Sequence, residues 1–335
     1  MATASSLVEG LLKSGSYPHK PAEVKLVQTQ MSFIFLAGDY VYKVKKPVNL
    51  GYLDYTTLSK RRLFCRREVE LNRRLCPDVY LEVVAITRDR EGVHIGGKGR
   101  AVEYAVRMRH LPQERMMDVL LAGNRVTPEM VTRVAQKLVG FHREAKTNSR
   151  IAAFGGLDTI CQNTEENFSQ TQEYIGVSIS QKQYERIKGY TQEFIRRNSG
   201  LFARRVEEGR IRDCHGDLHC AHICFTDGIC IYDCIEFNDR FRYTDVASEV
   251  AFLAMDLDHY QRPDLSRHLV NAYVELSQDE ELVELLGFYK CYRAYVRGKV
   301  ESFKLADTYI SGEEKAKALS AAKSYFALAE GYIMV

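Results

Sequence analysis

The chain has 335 residues, of which 45% are hydrophobic and 27% charged, and its formal net charge is +3. This composition is typical of a globular protein, and the length exceeds one average domain, so we expect two lobes. The small net charge does not indicate nucleic-acid binding. No run of about 18 apolar residues indicates a membrane span, and residues 1–14 lack the basic start and apolar core of a signal peptide.

The cysteines favour a reduced, cytoplasmic protein. Their number, nine, is odd, and no secretion signal precedes them. Five of them lie within residues 214–234, beside His215, His219 and His222, so a structural zinc site is an alternative. The absence of any C-x-x-C pair argues against zinc.

The N-terminal part has the alternating pattern of a small antiparallel sheet. A turn at Ala37-Gly38-Asp39 separates the last two of three predicted strands, and Pro47 ends the third. The predicted strands are residues 24–30, 32–36 and 40–46.

Two lysines of the third predicted strand share one face. Lys43 and Lys45 point the same way because side chains alternate along a strand. We expect Lys43 to lie deeper in the strand. Lys45 abuts a second lysine and a proline, so we expect it at the solvated end.

A helix is predicted over residues 57–75. Glu68 falls within its apolar stripe, which also contains Phe64, Leu71 and Leu75. An unpaired charge there would be costly, and a lysine from the sheet would remove that cost. Glu70, in contrast, lies among arginines on the polar side of the helix.

Beyond this helix, residues 101–110 alternate like another strand, which Leu111-Pro112 ends. The rest of the chain is mainly helical in pattern, apart from one short segment. The predicted helical stretches are residues 116–121, 128–145, 162–199 (two or more helices) and 282–304.

The exception is residues 214–233, the most informative segment. His215-Gly216-Asp217-Leu218-His219 places a carboxylate in a tight loop, and two short apolar runs follow. Asp227-Gly228 between these runs predicts a hairpin with a two-residue turn. Counting outward from that turn places His222 directly opposite Asp233, where side chains lie roughly 4.5–5.5 Å apart.

The sequence motif of residues 214–233 resembles that of the aminoglycoside phosphotransferase and choline kinase family, whose fold is similar to that of protein kinases. The resemblance implies an α+β, two-lobed kinase-like fold. Residues 1–110 would form the nucleotide-binding lobe, a small antiparallel sheet with a helix. Residues 111–335 would form the mainly helical catalytic and substrate lobe. The implied activity is ATP-dependent transfer of the γ-phosphoryl group to a hydroxyl of a small polar molecule.

The resemblance also implies the roles of individual residues. Asp217 would be the catalytic aspartate and Asp233 the ligand of Mg²⁺. Lys43 would contact the α- and β-phosphates of ATP, and Glu68 would hold Lys43. From the helix pattern and this implied pairing, Glu68 is preferred to Glu70.

Other parts of the family pattern differ here. His222 occupies the position where the family has Asn, and imidazole suits Mn²⁺ or Zn²⁺ better than Mg²⁺. No glycine-rich loop lies between the first two strands, so backbone N–H groups or the Ser32 hydroxyl would contact phosphate. Met108 and His110 lie where kinase-like folds hold the adenine edge.

Three acidic residues after the hairpin have more than one interpretation. Asp245 resembles a family aspartate with a structural role near a helix N-terminus. Glu236 and Asp239 could bind a cationic acceptor or a second metal, or be surface charges. The alternatives to a small-molecule kinase are a nucleotide-binding pseudokinase, which His222 and the missing loop favour, and a protein serine/threonine kinase. The acceptor and the oligomeric state are not predicted.

Overall fold

A computed structural model describes residues 2–307 and 310–333. The first residue of the predicted N-terminal lobe, Met1, and the last residue of the predicted C-terminal lobe, Val335, lie outside these ranges. The fold is mixed α+β, as predicted. Its strands are β1 (Val24–Gln28), β2 (Ser32–Ala37), β3 (Tyr40–Lys45), β4 (Tyr80–Arg88), β5 (Val93–Ile95), β6 (Arg100–Arg109), β7 (Ile211–Asp213), β8 (Ile223–Phe225), β9 (Ile229–Ile231) and β10 (Tyr243–Asp245).

The helices account for most of the C-terminal half. They are α1 (Ala2–Leu11), α2 (Leu58–Asn72), α3 (Met117–Ala122), α4 (Pro128–Glu144), α5 (Ser149–Ala152), α6 (Leu157–Thr171), α7 (Gln181–Arg197), α8 (Ser199–Glu207), α9 (Asp239–Arg242), α10 (Val246–His259), α11 (Pro263–Ser277), α12 (Leu282–Phe303) and α13 (Gly312–Gly331). None of the helices within residues 2–307 and 310–333 combines the length and apolar character needed to cross a bilayer.

The chain divides into two compact units that interrupt each other in sequence. Unit 1 comprises Met1–Val119 and His222–Asp239, and unit 2 comprises Leu120–Ala221 and Arg240–Val335. The hairpin β8–β9 therefore groups with the N-terminal residues. This division differs from the single predicted boundary at residue 110.

Unit 1 is built on a six-stranded antiparallel sheet with the order β1-β2-β3-β6-β4-β5. Lys43 pairs with Ile34 of β2 and with Val106 of β6, so β3 is an interior strand. An interior strand is hydrogen-bonded to a neighbouring strand on each side, and a helix can cover one face of the sheet there. Helix α2 packs on β6 and β4.

The local sequence explains where α2 begins. The Thr57 side chain accepts a hydrogen bond from the Lys60 N–H, which satisfies one of the free donors at the helix start. Buried residues of α2 then face an apolar cluster that includes Cys65, Val69 and, from β6, Val106. This packing fixes the rotation of α2, and with it the direction of Glu68.

The hairpin in unit 1 has a different register from the predicted one. Cys224 pairs with Cys230, and Phe225 with Ile229, so three residues connect the strands rather than Asp227-Gly228 alone. A longer connection shifts every pair by one position. His222 therefore lies opposite Tyr232, whose N–H donates to the His222 carbonyl oxygen at 3.0 Å.

The prediction of reduced thiols is wrong for one pair of cysteines. Cys76 and Cys230 are joined by a disulfide across 154 positions of sequence, with their Cα atoms 4.8 Å apart. Sequence spacing does not reveal this pairing, because the fold alone brings the segment after α2 against β9. The bond ties that segment to the strand that leads to Asp233.

Unit 2 is mainly helical, with β7 and β10 as its short antiparallel pair. Helix α12 packs on α10, α13 and α6, while α4 and α10 pack on α11. One apolar cluster of buried residues joins α6, α7, α10, α12 and α13, with Phe168, Tyr295 and Phe326 among its aromatic members. Helix α12 is thus the central support of unit 2.

A close approach between α12 and α13 depends on Gly298. A Cβ atom at this position would lie 2.9 Å from ring atoms of Phe326, whereas one at Gly287 of the same helix would have no neighbour within 4 Å. We expect Gly298→Ala to destabilise the protein by about 1–3 kcal/mol, because overpacking forces the aromatic ring to move.

Gly287→Ala is the matched control, and we expect it to stabilise the same helix by roughly 0.5–1 kcal/mol. Urea unfolding followed by circular dichroism measures both effects. Equal effects of the two substitutions would show that the contact with Phe326 is not tight.

Candidate functional site

Unit 1 brings together three of the predicted site residues. The Lys43 Nζ atom lies 2.6 Å from Asp233 Oδ1 and 2.8 Å from Glu68 Oε1. The strand β3, the helix α2 and the segment after β9 each contribute one of these side chains. A single ammonium group therefore bridges a fully buried carboxylate and one whose side chain is 39% exposed.

The position of Lys45 corrects the sequence analysis. Its side chain is 2% exposed rather than at a solvated strand end. Lys45 Nζ lies 2.7 Å from Glu68 Oε2 and also binds Glu236, which accepts from the Tyr55 hydroxyl at 2.5 Å. Sequence position suggested exposure, but the buried carboxylates on the covered face compensate the charge.

Glu68 is therefore shared by two lysines, one oxygen to each. Burial alone would raise the pKa of Glu68, but the neighbouring charges of Lys43 and Lys45 hold it below its ordinary value. Burial alone would lower the pKa of both lysines, and the carboxylates raise it well above normal. All three groups are thus charged near neutral pH.

Glu236 and Asp239 are not open acidic groups of unit 1. Glu236 is buried on Lys45 and Tyr55, and Asp239 forms an ion pair with Arg67. Both carboxylates are used by side chains of their own unit, which does not favour a second metal or a cationic acceptor there.

Asp233 has an unusual backbone conformation, with φ = +63°. A residue other than glycine in this left-handed region carries strain, and such residues concentrate at functional sites. The Asp233 N–H donates to the Tyr80 hydroxyl at 3.2 Å, which helps hold this geometry. The second carboxylate oxygen lies 3.7 Å from His222 Nε2.

His222 and Asp233 thus approach each other, although not by the predicted strand pairing. Tyr232 is the residue opposite His222 in the hairpin. The left-handed backbone conformation of Asp233, the next residue, turns its carboxylate towards His222. A half-exposed carboxylate beside an imidazole nitrogen fits a divalent cation. The oxygen suits Mg²⁺, and the nitrogen suits Mn²⁺ better.

Ser32 is buried in β2, directly opposite Lys45. Its N–H donates to the Thr29 hydroxyl at 3.0 Å, and the Met31 N–H donates to the same oxygen at 3.3 Å. These backbone donors are therefore used within the turn. Phosphate contact through the Ser32 hydroxyl stays a prediction.

The predicted adenine-binding segment ends β6. Met108 pairs with Val41 and Tyr80, and the exposed His110 donates its N–H to the Asp39 carbonyl oxygen at 2.9 Å. The two residues flank the end of the sheet near β3. Nucleotide contact by Met108 and His110 stays a prediction.

In unit 2, Asp217 lies in a loop whose backbone N–H groups donate to Glu249 of α10. The Glu249 carboxylate accepts from the His215 N–H at 2.8 Å and from the Gly216 N–H at 2.7 Å. It also pairs with His142 Nε2 at 2.8 Å. Gly216 has φ = +88°, which glycine adopts without strain.

His215 contacts the backbone of the same loop. It is fully buried, and its Nδ1 accepts from the Asp217 N–H at 3.3 Å. Arg293 of α12 donates to the Gly216 carbonyl oxygen at 3.2 Å, and the Cys220 N–H donates to Asp256 at 2.8 Å. The backbone around Asp217 is therefore fixed on both sides.

Asp245 has a structural role at the start of α10. Its side chain accepts from the Ala247 N–H at 2.8 Å and pairs with the fully buried Arg205. Arg205 also pairs with Asp279. Glu249, the residue that contacts the loop directly, was not predicted; its signal was an acidic residue within the mostly apolar first part of α10, residues 246–255.

Glu249 is buried and ionised. Burial would raise its pKa, but the hydrogen bond and charge of His142, with those of the loop, lower the pKa of Glu249 to about 2. We expect Glu249→Gln to destabilise the protein by about 1.5–3 kcal/mol, because hydrogen bonds to a charged acceptor are lost.

The exposed Glu284 of α12 offers a matched control for this change. Glu284→Gln is expected to stay within about 0.5 kcal/mol of the unchanged protein. Thermal unfolding by circular dichroism measures both, and an equal effect would exclude a special role for Glu249.

Solved structures of other proteins share the fold of this chain. An amicoumacin kinase solved with AMP-PNP and Ca²⁺ superposes with a TM-score of 0.55 at 11% identity, covering 97% of this chain and 93% of that one. A choline/ethanolamine kinase family protein from Mesorhizobium loti superposes with a TM-score of 0.50 at 13% identity, covering 99% of both chains. This chain has a kinase-like fold.

A third protein with the kinase-like fold is the ethanolamine kinase of Plasmodium vivax, with a TM-score of 0.51 at 11% identity, covering 92% of this chain and 81% of that one. Uncharacterized proteins of Mycobacterium tuberculosis and Mycobacterium bovis are 34% identical over 280 residues, or 83% of this chain. The chain spans about half the length of these relatives, 55%. No family model matches the sequence.

Proposed function

We propose that this protein is an ATP-dependent phosphotransferase that moves the γ-phosphoryl group to a hydroxyl of a small polar molecule. The observation that carries the proposal is the bridge from Glu68 through Lys43 to Asp233, with distances of 2.8 and 2.6 Å. A lysine held by a buried glutamate can bind phosphate oxygens, and the accessible aspartate beside it can bind a metal ion. Solved small-molecule kinases with the same fold support the proposal.

Asp233 and His222 would hold the divalent ion. When bound, the ion would supply positive charge to the phosphate oxygens and so favour attack on phosphorus. Mg²⁺ fits the carboxylate oxygen, and the nearby imidazole nitrogen supports Mn²⁺ as a second candidate. Cytoplasmic location and the lack of nucleic-acid or membrane partners stay predictions.

The remaining roles belong to four side chains. Lys43 would position the phosphates. Glu68 would hold the Lys43 ammonium group in place when Asp233 binds the metal. Lys45 would hold Glu68 from the other side. Asp217, on a loop fixed by Glu249, would orient the acceptor hydroxyl and accept its proton.

Transfer of label from [γ-³²P]ATP tests the proposal. The protein is incubated with Mg²⁺ or Mn²⁺ and a small-molecule extract, and products are separated from protein by filtration. Label in the small-molecule fraction that Asp217→Asn abolishes is the expected result. Label only on protein would instead establish a protein kinase, and nucleotide binding without transfer in either metal would establish a pseudokinase.

The pseudokinase is the second candidate because of two specific observations. His222 replaces the amide side chain of the family pattern, and the turn at Thr29 uses the Ser32 N–H itself. Both features bear on how tightly phosphates are held. The metal comparison in the same assay decides between the two candidates.

A further inference from the structure

We propose that the acceptor carries an anionic group, a carboxylate or a phosphate ester, and that Arg297 of unit 2 binds it beside Asp217. This inference rests on the proposed phosphotransferase function and names the chemical class of its acceptor. It depends on contacts within unit 2 alone.

The position of Arg297 follows from helix α12. Arg293, one turn earlier on the same face, donates to the Gly216 carbonyl oxygen at 3.2 Å. Residues four apart share a face of a helix, so Arg297 lies on the side of α12 that faces the Asp217 loop. The close packing of Gly298 on Phe326 fixes this part of α12 against α13.

The Arg297 guanidinium lies over the Tyr325 ring, 5.4 Å from its centroid, and no described carboxylate is within hydrogen-bonding distance of it. Its Nε is buried without a hydrogen-bond acceptor, and its Nη2 is 3.9 Å from Glu301 Oε1, beyond hydrogen-bonding distance. Glu301 instead accepts from Lys304 with both oxygens, at 2.8 and 2.9 Å. An arginine with reduced exposure normally forms paired hydrogen bonds to a carboxylate or phosphate.

The nearby acidic groups are used elsewhere or belong to the reaction. Asp256 accepts from the Cys220 N–H at 2.8 Å and from the Tyr325 hydroxyl at 3.3 Å. Burial would lower the pKa of Arg297, but Tyr325 and the charges of Asp217 and Asp256 raise it. Arg297 is therefore a fixed cation within electrostatic reach of the catalytic aspartate.

These observations define an acceptor subsite with two poles. Asp217 can accept a proton from a hydroxyl, and Arg297 can bind an anion in a planar, two-point geometry. The Arg297 side chain is 21% exposed, so it is not sealed within the core of unit 2. A cationic acceptor would place like charges together, which is unfavourable.

Ion exchange of the acceptor pool provides the test. A small-molecule extract is separated into anionic, neutral and cationic fractions, and each is assayed for label from [γ-³²P]ATP. We expect the anionic fraction to contain the acceptor. Arg297→Met should raise the KM for that fraction roughly 10–100-fold, the loss typical of a charge-assisted contact, with a smaller change in kcat.

Three further measurements make the outcome specific. Arg297→Lys keeps the charge but not the planar guanidinium group. Its KM is expected to lie between those of the unchanged protein and Arg297→Met. Arg196→Met removes an exposed arginine that pairs with Glu193 and is expected to change neither KM nor kcat. Calorimetric binding of the purified acceptor without nucleotide should weaken in Arg297→Met alone, which separates binding from turnover.

Label in the neutral or cationic fraction would overturn the anionic acceptor while leaving the phosphotransferase function intact. An unchanged KM in Arg297→Met with the anionic fraction would overturn the role of Arg297. No label in any fraction would overturn both this inference and the proposed function.

Discussion

Asp217→Asn is expected to lower kcat for phosphoryl transfer by roughly 10²–10⁴-fold, the usual contribution of a positioned proton acceptor. The asparagine amide keeps the size of the side chain but cannot take the hydroxyl proton. The loop itself should survive, because the His215 and Gly216 N–H groups donate to Glu249 and the Asp217 N–H donates to His215. Steady-state kinetics with the acceptor identified by label transfer measures the effect.

The specificity of this loss can be checked with Asp227→Asn, which changes an exposed aspartate in the connection between β8 and β9. That variant should retain full kcat, and nucleotide affinity should be unchanged in both proteins. A drop of less than tenfold in Asp217→Asn would show that Asp217 is not the proton acceptor.

Glu68→Gln is expected to destabilise the protein by about 3–5 kcal/mol, because it leaves two buried lysines without their shared carboxylate. Lys43 would retain Asp233 and Lys45 would retain Glu236, so each buried ammonium group would keep one carboxylate instead of two. Urea unfolding followed by circular dichroism measures the change. Nucleotide affinity should fall as well, since Lys43 loses one of its two supports.

Glu70→Gln is the matched control, because Glu70 lies two residues away on the exposed side of α2. We expect an effect within about 0.5 kcal/mol. Similar losses of stability in the two variants would contradict the central position of Glu68.

The cost of Glu68→Gln should also depend on pH, with a sign fixed by the pKa shifts. The depressed pKa of Glu68 contributes stability that is present above the ordinary value of 4.5 and lost as pH falls through the folded value. The raised pKa of Lys43 and Lys45 contributes stability that is present below 10.5 and lost as pH rises further. The difference between the two proteins should therefore be largest between these limits.

The kinase-like fold could be predicted because its local signals agree. Alternation gave β1, β2, β3 and β6 within one or two residues of their observed bounds, and Thr57 marks the start of α2. Glu68 was placed correctly against a sheet lysine, since an acidic residue in an apolar stripe requires a partner. Strands β4 and β5 were not predicted.

The errors arose where tertiary contacts override local pattern. Lys45 was expected in solvent, yet Glu236, far away in sequence, makes its burial possible. The register of β8–β9 depended on one residue of loop length, which Asp227-Gly228 does not determine. The Cys76–Cys230 disulfide and the support of the Asp217 loop by Glu249 likewise join segments that are distant in sequence.

Calorimetric titration of AMP-PNP with Mg²⁺, with Mn²⁺ and with EDTA tests most directly whether Lys43 and Asp233 form a phosphate and metal site. The protein should bind the nucleotide more tightly with either metal than with EDTA. Asp233→Asn should lose this metal-dependent gain, while Asp227→Asn keeps it. Equal binding with and without metal in all three proteins, or no nucleotide binding at all, would contradict the assignment.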